Sequence, residues 1–271
     1  MSARNLELAS FLKSRRHRLT PGQVGLPQNA RRRLPSLRRE EVAWLADVGI
    51  TWYTWLEQGR PIKVAASTLG RIAAVLKLNT SESDYLRKLV LGRTSEHHPW
   101  NAPVTDRVRK LIEVYDAGPA FVVGPRWDIL ACNDRFEVAF VCERNETGLL
   151  HNALWRMFAL PKSRVVIPDW IGVARQMVGI FRVEYADFVG DVGFEELIDR
   201  LSDESPDFVA IWADVGVLSP MLLNVREMRD PATGVISKFE TVSFNVPEGD
   251  GQTAIFYYHV NEDGTASTRV G

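Results

Sequence analysis

Over the first ninety residues, apolar positions recur at intervals of three and four, the period of helices that bury one face. Leu6, Leu8, Ala9, Phe11 and Leu12 form one stripe, which runs out into Lys13, Arg15, Arg16, His17 and Arg18 before Pro21-Gly22 and predicts a helix with a cationic end. From Leu37, the positions Val42, Leu45 and Ala46 predict a second helix. Ser36 is its expected N-cap, and Glu40 and Glu41 sit in the first turn, where the helix dipole favours anions. A third helix is expected from Ile50 to Gly59, with Pro61 just beyond. Leu69, Ile72, Ala73 and Leu76 mark a fourth. Ser81-x-x-Asp84 reads as the capping box of a fifth, which turns Tyr85, Leu86, Leu89 and Val90 inward. No strand pattern of any length precedes residue 115.

Residues 94–104, polar and with two prolines, read as a linker between domains at 1–93 and 105–271. Beyond them the period changes. After a helix carrying Val108, Leu111, Ile112 and Tyr115, two β-rich segments, Ala120–Val123 and Trp127–Ala131, flank Gly124-Pro125 as in a hairpin. Helical stretches are expected around 134–143, 151–159, 168–182, 193–203 and 206–213. Strands follow at Met221–Met228, Ile236–Val246 and Thr253–Val260, separated by gaps of hairpin length. Such an order predicts an α+β domain with an antiparallel sheet.

Charge changes this picture more than composition does. Of 271 residues, 33 are Lys or Arg and 34 Asp or Glu, a net charge of −1. Residues 1–93 alone carry 17 cations against 7 anions, and the remainder carries 16 against 27, so a +10 half is joined to a −11 half. That asymmetry is expected of a nucleic-acid-binding module linked to something else. No run of apolar residues is long enough for a membrane span and no signal peptide is evident, so a cytoplasmic location away from membranes is expected. Cys132 and Cys142 are the only cysteines, and His97-His98 lacks further ligands, so no metal site is expected. The sequence carries no nucleophile-elbow, Walker, zinc-protease or dinucleotide-binding motif, which leaves no catalytic residues to name and predicts a protein that is not an enzyme.

The tight turn at Ala46-Asp47-Val48-Gly49 makes residues 37–60 a helix-turn-helix. At 100° per residue, Tyr53 and Leu56 face the preceding helix while Thr51, Thr54, Trp55 and Gln58 point away as the face that reads base edges. Arg31, Arg32, Arg33, Arg38, Arg39 and Arg60 flank it and are expected to meet phosphates of double-stranded DNA. Glu57 is expected to partner a nearby arginine, because an exposed carboxylate repels phosphate; Trp52 is expected to pack inward.

The run Arg31-Arg-Arg-Leu-Pro-Ser-Leu-Arg-Arg-Glu-Glu-Val-Ala-Trp-Leu-Ala-Asp-Val, with Tyr53-Thr-Trp-Leu-Glu-Gln-Gly-Arg60, resembles the Xre-type helix-turn-helix of the MmyB-like transcription regulators. Further matches are Arg126–Asn133, Asn152–Phe158, Pro168-Asp-Trp170, Ser205–Phe208 with Ile211-Trp212, and Glu240-Thr241. The resemblance implies a lambda-repressor-like, all-α domain followed by an α+β, PAS-like domain that binds a small apolar or fatty-acid-like ligand, and with it transcription regulation; a homodimer is the form expected on DNA. Asp47 stands where the family usually has the turn glycine. By default, the aromatic residues of the second half are core. Those expected to line a ligand cavity are Phe121, Trp127, Trp155, Phe158, Trp170, Met177, Trp212 and Phe244, with Asn133 and Arg156 as polar anchors. Two alternatives stand beside this reading: a redox sensor built on Cys132 and Cys142, or a protein-interaction module.

Overall fold

The computed structural model describes residues 2–27, 34–92, 100, 102–142, 147–214, 225–246, 249 and 251–260. Arg31, Arg32, Arg33, His97 and His98 lie outside the described residues. Helix α1 (Ala3–Arg18) is capped by Ser2, whose hydroxyl accepts the Asn5 amide. Helices α2 (Arg39–Leu45), α3 (Ile50–Glu57), α4 (Ala66–Val75) and α5 (Thr80–Leu91) follow, and the apolar faces of all five share one core around Phe11, Leu12, Val42, Tyr53, Leu56, Ile72 and Tyr85. Two caps differ from expectation. Leu37 is buried and its amide donates to the Leu19 carbonyl at 2.8 Å, which keeps the chain extended past Ser36. Helix α2 is therefore capped at Arg38, whose amide is held by the Glu41 carboxylate at 2.7 Å. The capping box of α5 sits two residues early, with Asn79 and Glu82 exchanging reciprocal 2.9 Å bonds.

The second domain contains α6 (Asp106–Val114), β1 (Ala120–Val123), β2 (Ile129–Cys132), α7 (Asp134–Phe140), α8 (Ala153–Ala159), α9 (Pro161–Val166), α10 (Trp170–Phe188), α11 (Val192–Glu204), α12 (Pro206–Ala213), β3 (Val225–Arg229), β4 (Ile236–Asn245) and β5 (Thr253–His259). The five strands form one antiparallel sheet in the order β2-β1-β5-β4-β3. Strand β5 closes it against β1, pairing Phe121 with Ile255 across most of the domain's length. Helices inserted between β2 and β3 cover one face with a large aromatic core, while α6 covers β1, β2 and β5 on the other. Helix α10 runs six residues beyond its expected end. Strand β2 starts two residues late, because Trp127 occupies a left-handed turn at φ 69°. The expected strand positions 221–224 lie outside the described residues. Among the described residues no helix is long and apolar enough to cross a membrane.

Candidate DNA interface and ligand cavity

Helix α3 is held from beneath by an ion cluster. Glu57 at its end is fully buried and accepts from Arg16 Nε at 2.6 Å, from the second Arg16 amino group at 2.7 Å and from Arg39 Nε at 2.8 Å. Arg16 also donates to the Leu37 carbonyl at 2.8 Å, so one carboxylate ties α3 to both α1 and α2. Burial works to raise the Glu57 carboxyl, but the two guanidiniums outweigh it and hold it below the ordinary value. At the following turn, Gly59 has φ 69° and passes so close to the Asn5 carbonyl that an added Cβ would lie 2.4 Å from the oxygen. Only glycine fits there. The turn before α3 places Asp47 at φ 51°, in left-handed geometry, and Arg71 of α4 donates to the adjacent Ala46 carbonyl at 2.8 Å.

With Tyr53 and Leu56 buried, the opposite face of α3 is open. Thr51, Trp55 and Gln58 are exposed and Thr54 half-buried; Arg38 and Arg60 are exposed beside them. The Arg60 guanidinium stacks over the Trp55 ring at 5.6 Å. Arg39 is half-buried, with its Nε bound to Glu57. Trp52 packs partly into the core. Trp44, on the outer face of α2, is 72% exposed, a position to which sequence reasoning gave no role.

In the second domain a cavity of about 70 Å³ opens between the sheet and helices α7 to α10. Phe121, Trp127, Met177 and Arg156 line it, as the sequence led one to expect, together with Phe136, Ile255 and Tyr257. The other expected lining residues lie elsewhere. Trp155, Phe158, Trp170 and Trp212 are packed in or against the aromatic core: Phe158 meets the Trp170 and Phe208 rings edge-on, and Trp212 stacks on Phe208. Asn133 is structural. It caps α7, accepts the Ala120 amide and donates to the Tyr115 and Gly118 carbonyls. Phe244, 44% exposed, borders a separate cavity of about 440 Å³ between α10 and β4, which Glu184 and Thr241 also line. Burial raises the Glu184 carboxyl above its ordinary value.

Arg156 reaches the first cavity but is occupied, donating to the carbonyls of Leu150, Phe140 and Val141. Arg226 of β3 is not. It is 8% exposed, it lines the same cavity, and among the described residues its Nε is buried without a hydrogen-bond partner. Glu227, exposed, borders the rim. A lone arginine in a short strand reads in sequence as a solvated edge; only the helices stacked on β3 reveal that it is buried.

The domains meet along α10. Arg182, 1% exposed, donates to Glu7 of α1 at 2.5 Å and to the Trp212 carbonyl, and its guanidinium lies 3.8 Å above the Trp212 ring. The Tyr85 hydroxyl of α5 shares the same Glu7 oxygen. Lys88 pairs with Asp187 at 2.6 Å, Arg18 with Asp214 at 2.7 Å, and Arg4 donates to the Ala186 carbonyl at 2.8 Å. Cys132 and Cys142 are both buried and form no disulfide. Among the described residues no group of three or more His, Cys, Asp or Glu is placed to hold a metal.

An open helix-turn-helix face joined to a domain with a small, mostly apolar cavity defines a two-domain DNA-binding regulator with a ligand-binding domain. The chain belongs to the family of MmyB-like transcription regulators: residues 104–270 match the MmyB-like transcription regulator ligand binding domain, and residues 7–86 match a helix-turn-helix domain. No match is found among curated proteins.

Proposed function

We propose that the protein binds operator DNA as a homodimer through α3 and senses, in its PAS-like second domain, a carboxylate with a short apolar tail, a fatty-acid-like ligand. The domain acts in this reading as a binding module and not as an enzyme. The observation that carries it is Arg226. A buried guanidinium nitrogen left without an acceptor partner is unfavourable by about 1–3 kcal/mol. An anionic head group that enters the cavity supplies that partner through a charge-assisted, two-pronged contact, while Phe121, Met177 and Tyr257 surround its tail. On the DNA side, exposed Arg38 and Arg60 supply phosphate contacts, and the Thr51 and Thr54 hydroxyls face outward for base edges.

Titration calorimetry with pentanoate and with 1-pentanol tests the ligand reading. The acid is expected to bind more tightly than the alcohol, and Arg226→Gln is expected to erase the difference; equal binding of both to the parent protein overturns it. For DNA, Arg38→Ala is expected to weaken binding to all sequences and to reduce the slope of log affinity against log salt by about one. Thr51→Ala and Thr54→Ala are expected to change which sequences a random-site selection enriches.

A further inference from the structure

The cavity beside Arg226 is small for the ligand class it would serve. At about 10–15 Å³ per water-sized group, 70 Å³ admits roughly five to seven such groups. Its larger neighbour of about 440 Å³ lies on the same side of the sheet, and two residues line both: Trp127 and Ile255. Trp127 is held there by its backbone. Its amide donates to the Gly124 carbonyl at 2.8 Å, and its own carbonyl accepts the Ala153 amide at 2.8 Å. Between these two bonds the residue sits at φ 69°, a conformation that bulky side chains rarely adopt and that persists only where the surroundings impose it. The indole is 7% exposed and stands between the two spaces.

We propose that Trp127, backed by Ile255, is a partition that sets ligand length: the acid group sits on Arg226, the tail ends against the indole, and chains too long for the first compartment are rejected. The inference rests on the carboxylate-sensor reading above. Without the partition the two compartments join, and the apolar walls of the second, Val123 and Ile180, become available to a longer tail. Rejection across such a wall is worth about 10–200-fold for each surplus methylene that cannot be placed.

The test is calorimetric titration of pentanoate and dodecanoate into the parent chain, Trp127→Gly and Ile255→Ala. Glycine tolerates the left-handed backbone, so the first variant removes the ring without adding strain. The second thins the same wall from the sheet side and serves if the first fails to fold by circular dichroism. The parent is expected to prefer pentanoate by at least about tenfold, and each variant to reverse or abolish that preference by gaining dodecanoate affinity. A parent chain that binds dodecanoate as well as pentanoate, or variants that leave the ratio unchanged while Arg226→Gln still weakens both acids, overturns the partition and leaves the sensor reading standing. If neither acid binds any of the three proteins, both fall.

Discussion

Glu57 shows how much a single residue organises. Removing one partner of a buried ion cluster leaves the others uncompensated, so Glu57→Gln is expected to lower stability by about 3–5 kcal/mol in urea denaturation and to abolish DNA binding by releasing α3. Because the folded carboxyl titrates below its ordinary value near 4.5, its contribution is present above that value and is lost as pH falls through the folded one. The urea midpoint of the parent should therefore drop more steeply than that of Glu57→Gln as pH falls below about 4.5. Asp47 presents the opposite case. Glycine is at ease at φ 51°, and Asp47→Gly is expected to raise stability by up to about 1 kcal/mol, measured by the same denaturation. The roles of Glu57 and Asp47 were legible in sequence, one from the cost of an exposed carboxylate near phosphate and the other from a familiar turn. Arg226 was not, because its burial depends on α9, which approaches β3 from about sixty residues away.

At the scale of elements, helices were legible because period 3.6 and the residues that end helices are local signals. The five helices of the first domain fall where their apolar stripes put them, with the caps of α2 and α5 each displaced by two residues, that of α2 by the tie between Leu37 and Leu19. The antiparallel character of the sheet was legible from hairpin-length gaps, but its order was not. Nothing near Ala120–Val123 announces that Thr253–His259 pairs with it, because that partnership is fixed by long-range packing. The same limit applies to the cavity. An aromatic list identifies a core, and only the placement of α10 against the sheet separates the residues that border a void, such as Met177, from those that fill space, such as Trp212.

At the scale of the molecule, Arg182 joins the halves. Arg182→Met leaves the half-buried Glu7 against α10 without its cation and is expected to cost about 2–4 kcal/mol, with much of the loss recovered in the Glu7→Gln/Arg182→Met double variant. Differential scanning calorimetry should show one transition for the parent and two for Arg182→Met. The exposed Arg18–Asp214 pair is expected to contribute less than about 1 kcal/mol, so Asp214→Asn should leave the melting profile nearly unchanged.

Helix α10 belongs to both cores: Met177, Val178 and Phe181 lie in that of the second domain, while Ala186 lies in that of the first, flanked by Val183 and Val189. The DNA-reading half is thus finished by a piece of its neighbour and is not a portable cassette. A chimera that grafts residues 1–93 onto a foreign sensor would leave the surfaces of α1 and α5 unclothed, whereas one that carries α10 along transplants the missing wall with its Arg182 anchor.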